Sequence, residues 1–145
     1  MPANVTTAPE TRLILRSRLE ELAAVWPWVD ALATEYSIPA KTVFAIHLCL
    51  EEALSNVIRH GCDGQGDRQI IVSFSANEES ATVTIEDQAS HFNPLAAPSA
   101  ATPSSVDDLR PGGRGILLMR QFASHLSYEE LPTGNRLTLV FPLAV

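Results

Sequence analysis

The chain has no apolar run approaching the roughly 20 residues a bilayer-spanning helix requires, which argues against a helical membrane protein. Its N-terminal segment, MPANVTTAPETR, lacks both the basic start and the apolar centre of a secretory signal. Cysteine is scarce. Cys49 falls in a helical apolar pattern and Cys62 in a Gly-rich loop, so they form neither a metal-type nor a redox-type pair. Both are expected as free thiols in a reducing cytoplasm. The histidines, at 47, 60, 91 and 125, show no zinc spacing. Positive charge is in deficit: 10 Lys and Arg stand against 17 Asp and Glu, for a net charge of −7. That balance disfavours a nucleic-acid backbone or an anionic membrane as the main partner and is compatible with a basic protein partner. No internal repeat is present.

What remains is an ordinary globular composition. The 145 residues are 46% hydrophobic and 19% charged, enough for one domain with a real core. Residues 1–10 read as a flexible N-terminus and 11–145 as a single domain. TRLILR, residues 11–16, predicts an edge strand with Leu13 and Leu15 on one side. A helix is expected from an N-cap at Ser17 to about Tyr36, bent at Pro27, with Trp26 and Trp28 as packing residues. A second helix should start near Pro39 and run through His60 to a stop at Gly61. Its apolar stripe is Ile46, Leu50, Ala53 or Leu54, and Val57. Residues 69–75 and 81–86 alternate as two half-buried strands around a turn at Asn77–Ser80. Residues 88–112 carry four prolines and no sustained period, which marks a functional lid or a disordered segment. A helix over 116–123, a strand over 126–130, a turn at Pro132–Asn135 and a last strand over 136–143 complete an α+β layered sandwich.

Three constellations carry chemistry. In EEALSNVIRH, Glu52 and Asn56 lie four positions apart in the second helix, about 40° apart around its axis, and Arg59 follows on the same face. A potential base, a neutral oxygen ligand and a fixed cation suit a hydrated Mg²⁺ carrying phosphates. A solvated helix face has the same pattern. Asp87 ends the strand pattern VTIED, where a carboxylate can accept a hydrogen bond from an exocyclic amine or make an ordinary turn bond. Gly112, Gly113, Arg114 and Gly115 precede a helix, whose free N–H groups attract anions. No Gly-Lys-Ser/Thr follows, so this is not a P-loop, and a flexible turn would look the same.

In this order the three segments resemble the GHKL ATPases, in the form of bacterial anti-sigma factors and switch-protein serine kinases. LEEALSNVIRHG is similar to their N-box. IEDQASHFNP is similar to the first nucleotide box, usually Asp-x-Gly-x-x-Phe-x-Pro. GGRGILLMR resembles the second Gly-rich box and TGNRLTLVFPL the closing strand. The likeness runs from about residue 12 to the C-terminus. It implies a two-layer α/β sandwich of the Bergerat type, with a mixed, mostly antiparallel sheet covered by helices on one face and residues 88–114 as an ATP lid. It implies ATP and Mg²⁺ as cofactors. Glu52 would be the general base, Asn56 the Mg²⁺ ligand and Asp87 the acceptor for the adenine amine. Ala89, Phe92, Gly113, Arg114, Gly115 and Ile116 would line the nucleotide site, with Arg59 and His60 beside it, and Thr138 near the adenine. The implied activity is that of an anti-sigma factor that phosphorylates a Ser or Thr of a STAS-type anti-sigma factor antagonist and holds a sigma factor. Leu13, Leu15 and Trp26 would supply a homodimer interface. Two positions depart from the pattern. Ala89 replaces a glycine, where a methyl would crowd adenine or disfavour positive φ, and Leu117 replaces a further glycine. They leave a second reading open: a non-catalytic partner-switch module with weak or no nucleotide binding. A histidine-kinase catalytic half is disfavoured because no phospho-acceptor helix is expected before the domain. A gyrase- or chaperone-type ATPase is disfavoured because no transducer domain is expected after it.

Overall fold

The computed structural model of the chain describes residues 10–61, 66–91, 93 and 113–143, with the side chains of His60, Gly61, Gly113, Arg114, Gly115 and Leu118 left aside. Five strands form one sheet: β1 (Thr11–Arg16), β2 (Gln69–Ala76), β3 (Ser80–Asp87), β4 (His125–Leu131) and β5 (Gly134–Pro142). Their spatial order is β1-β2-β3-β5-β4, and every adjacent pair is antiparallel. The expected mixed sheet is therefore corrected to a wholly antiparallel one among the described residues. Connectivity explains the difference. Two helices, α1 (Val25–Glu35) and α2 (Ala40–Asn56), join β1 to β2 and cancel in direction. One helix, α3 (Gly113–Phe122), lies between β3 and β4, which makes those two strands parallel. The β4–β5 hairpin then inserts β5 between them, so the parallel strands never touch.

Strand periodicity sorts the side chains into two faces. Leu15, Ile70, Val72, Phe74, Val83, Ile85, Leu137, Leu139 and Phe141 are buried toward the helices. The helices return Val25, Val29, Leu32, Ile46, Cys49, Leu50, Ala53, Leu54, Ile58 and Met119. Each such buried aliphatic contributes about 1.5–3 kcal/mol by leaving water. On the other sheet face, Arg136 pairs with Glu86 at 3.2 Å and Glu129 at 2.8 Å. Leu13 and Leu15 lie on the helix side, and Leu15 is fully buried. The expected interface role of Leu15 is thus corrected: it belongs to the core, and Ile14 is the apolar β1 residue turned to solvent, between exposed Arg12 and Arg16.

The first helix differs from its sequence expectation in a way that proline explains. Leu19–Ala24 form a 3-10 segment and the α-helix begins only at Val25. Pro27, lacking an N–H, then falls in its first turn, where no intrahelical bond is lost. Ser17 caps no helix. Its Oγ accepts the Arg68 N–H at 3.1 Å, while the Ser17 N–H donates to the Arg68 carbonyl at 2.9 Å. The serine extends the β1–β2 join. Trp28 packs edge-on to Phe74, and Trp26 stacks on buried His47 at 3.6 Å, tying α1 to α2. Pro39 is the N-cap of α2. Past Asn56 the helix widens into a π-turn, Val57–Gly61, and Ile58 takes the buried place that regular spacing predicts for Val57.

Helix α1 closes on a Schellman arrangement: the Ile38 N–H reaches the Ala33 carbonyl at 2.9 Å, with Ser37 at φ 53°. An L-residue in that left-handed conformation costs roughly 1–2 kcal/mol, which glycine avoids. Ser37→Gly is expected to stabilise the fold by about 1 kcal/mol, read as a higher urea midpoint at unchanged slope. An unchanged or lower midpoint would show that the serine makes up for its backbone.

Candidate functional site

Chain direction gathers the polar constellations at one end of the sandwich. Asp87, the last residue of β3, pairs with Ile70 at the start of β2 and with Asn135 at the start of β5. Helix α2 runs toward the start of β2, so its last turns, with Glu52 and Asn56, lie at the same end. β4 begins at His125, opposite Val140 near the far end of β5. Helix α3 packs against α2 and leads into β4. The helix starts at Gly113 rather than after Gly115, so these glycines belong to the turn whose N–H groups have no intrahelical acceptor.

Glu52 and Asn56 are both half-buried, between the core stripe and the exposed Glu51. Burial, and then the nearby Glu52 carboxylate, push the Cys49 thiol up to about 12, so Cys49 is inert at neutral pH. Arg59 is exposed within the π-turn. Ile116 is half-buried and packs on the core, whereas Leu117 is exposed on α3. Phe92, Cys62, the side chains of His60 and Arg114, and residues 94–112 of the expected lid lie outside the described residues.

Asp87 is the buried centre of this end, 8% exposed. Its Oδ1 accepts the Ala89 N–H at 2.9 Å and the Asn135 Nδ2–H at 2.8 Å. Desolvation raises its pKa above the ordinary 3.8, although both hydrogen bonds act to lower it. Among the described residues no group donates to Oδ2. Ala89 is buried, and its φ lies outside the positive region, where Ser37 is the non-glycine residue found among those described. The expected conflict between its methyl and a positive φ does not arise. Residues 88–91 are bound to the scaffold. Arg68 Nη1 donates to the Gln88 carbonyl at 2.6 Å, Asn135 to that of Ser90 at 3.0 Å, and His91 Nε2 to that of Leu131 at 2.7 Å.

Thr138 requires a correction. It pairs with Thr84 and faces the side of the sheet away from the helices, because odd positions of β5 face the core and Asp87 lies opposite Asn135. The residue that β5 does bring to Asp87 is Asn135, which sequence reasoning missed. Its signal was available: an odd-numbered polar residue in phase with Leu137, Leu139 and Phe141. Gly134 makes the approach feasible, since a Cβ there would stand 1.7 Å from the Asp87 carbonyl oxygen.

An antiparallel five-stranded sheet with helices on one face defines the class: an α+β sandwich of the GHKL ATPase type. The chain belongs to the family of histidine kinase-like ATPase domains, whose sequence profile matches residues 15–141. It is 31% identical over 112 residues to the serine/threonine-protein kinase BtrW of Bordetella bronchiseptica, across 77% of this chain and 79% of that protein. Several solved structures share its fold. The blue-light activated histidine kinase of Erythrobacter litoralis EL346 matches with a TM-score of 0.53 at 22% identity over 73% of this chain. The histidine kinase domain of that protein matches at 0.53 and 18% identity over 88% of it. The chain spans 32% of the first of these solved chains and 61% of the second.

Two predictions test this end of the molecule. Gly134→Ala forces the β3–β5 join apart at Asp87 and should cost about 1–3 kcal/mol in chemical denaturation, as overpacking does. A raised pKa means the folded state holds the Asp87 proton more tightly than the unfolded chain, so the carboxylate withholds stability at neutral pH. That stability returns as pH falls through the raised value toward 3.8. Asp87→Asn should therefore melt above the parent at neutral pH, by a margin that narrows as the Asp87 carboxylate takes up its proton in acid. A margin independent of pH would show that the buried charge is not its source.

Proposed function

We propose that this chain is an ATP-dependent protein kinase and anti-sigma factor that phosphorylates a Ser or Thr of a STAS-type anti-sigma factor antagonist in the bacterial cytoplasm. In this reading it also binds a sigma factor. The observation that supports the proposal is Asp87 buried at the end of β3 with Oδ1 held by Asn135 and Ala89, together with half-buried Glu52 and Asn56 in the last turns of α2 and glycines in the first turn of α3. The residues fit Mg²⁺-ATP. Asp87 keeps Oδ2 for the adenine amine, Asn56 supplies a neutral oxygen for Mg²⁺, and the glycines of α3 offer N–H groups to phosphates. Bound Mg²⁺ would neutralise phosphate charge during transfer. The chain's own part is positioning, with Glu52 taking the proton of the attacking hydroxyl. The name of the similar Bordetella protein, a serine/threonine-protein kinase, supports this direction.

A second reading, a partner-binding module without transfer, draws on Leu117, exposed where the family pattern has a glycine. Incubation with labelled ATP, Mg²⁺ and a candidate antagonist separates the two: phosphate on the antagonist supports the kinase, and a stable complex without transfer supports the module. Glu52→Ala should lower transfer by on the order of 10²–10⁴-fold while ATP affinity stays within about twofold. Normal transfer by this variant would remove Glu52 from the role of base. Asn56→Ala should weaken Mg²⁺-ATP binding by about tenfold or more, and unchanged affinity in titration would count against it.

A further inference from the structure

We infer that Asn135, itself held by the Tyr128 hydroxyl, is a positioning residue that aims the Asp87 carboxylate at the exocyclic amine of a 6-aminopurine and so sets base discrimination. This rests on the nucleotide reading above and goes beyond it in assigning the groups behind the acceptor.

Three strands supply the chain of contacts. Asp87 and Asn135 are direct partners across β3 and β5. Tyr128 on β4 pairs with Leu137, two residues from Asn135 and on the same face, within diagonal reach. The Tyr128 hydroxyl donates to Asn135 Oδ1. Asn135 Nδ2 donates to Asp87 Oδ1 at 2.8 Å and to the Ser90 carbonyl at 3.0 Å, with the Ala89 carbonyl at 3.4 Å. Both amide hydrogens are thus committed, and the carbonyl end is occupied by a hydroxyl. Flipped, the amide oxygen would face a carboxylate oxygen and two carbonyls with no hydrogen between them. The amide has one stable orientation.

That orientation decides what Asp87 can do. Oδ1 is occupied by Asn135 and the Ala89 N–H, which blocks rotation of the carboxylate and leaves Oδ2 as the oxygen open to a ligand donor. The supporting group is a neutral amide, not a cation, so the carboxylate keeps its full negative charge as an acceptor. A buried carboxylate built to receive one donor rejects a base that offers none there, because the oxygen is then desolvated without a partner. Asn135 is itself 6% exposed, so no water shell competes for these bonds.

The test compares ATP with purine riboside 5′-triphosphate, which lacks only the 6-amino group, by calorimetric titration in Mg²⁺. The parent should bind ATP more tightly. Asn135→Leu should cut that preference by about tenfold, the worth of one hydrogen bond to a charged group, and leave purine riboside triphosphate affinity within about twofold. Tyr128→Phe keeps the ring and removes one oxygen. It should cut the preference by about threefold, as loss of a neutral hydrogen bond does, and it remains informative if Asn135→Leu does not fold. Equal weakening of both nucleotides would make Asn135 and Tyr128 a strut for the β3–β5 end and overturn the inference. Unchanged preference in both variants would overturn it as well, with the nucleotide reading intact. A parent that binds neither nucleotide would retire that reading, and this inference with it.

Discussion

The antiparallel register of β3 and β5 is the constraint on which both core and site depend. It sets Ala81 against Phe141, Val83 against Leu139 and Ile85 against Leu137 on the helix-facing side, and the same phase delivers Asp87 against Asn135. One slip of register would send the whole apolar set to the open face. The core therefore holds the carboxylate in place: Asp87 stays buried because moving it would cost the burial of the residues paired along the same two strands. Gly134 makes the last step of the ladder sterically possible, since any side chain there would meet the Asp87 backbone.

Around that ladder, connectivity does the gathering. Two helices return the chain to a strand beside the first, and one helix crosses over β5 to an edge strand. Helix α2 is held firmly along its core side. Ile46, Cys49, Leu50, Ala53 and Leu54 are buried on one side, so Glu52 and Asn56 are presented sideways from a fixed rod. The widened turn after Asn56 ends that rod.

Much of this was legible in residue patterns. Alternation in VTIED and RLTLVF reads directly as half-buried strands, and the spacing of Ile46, Leu50 and Leu54 reads as a helix stripe, because burial is what imposes those periods. Pairings between distant segments were not legible. Ser17 has the chemistry of a helix cap, yet its hydroxyl bonds Arg68, more favourable once β1 and β2 are paired. Leu15 on an edge strand looks available to a partner, yet the helices cover it. Thr138 and Asn135 are three residues apart on one strand, and only the register says which of them meets Asp87.

The sequence alone determined the class of fold, the helix bearing Glu52 and Asn56, the strand ending in Asp87 and the family resemblance, since each depends on local periodicity or on residues close together in the chain. Tertiary structure alone decided that the sheet is antiparallel throughout its described residues, that Asp87 is buried against Asn135, and that Thr138 lies on the far face. Those facts depend on pairing across 48 to 54 residues of chain, between 87 and 135 and between 84 and 138. Hydrogen-bond geometry and desolvation select among polar residues there, and neither exists until the strands are side by side.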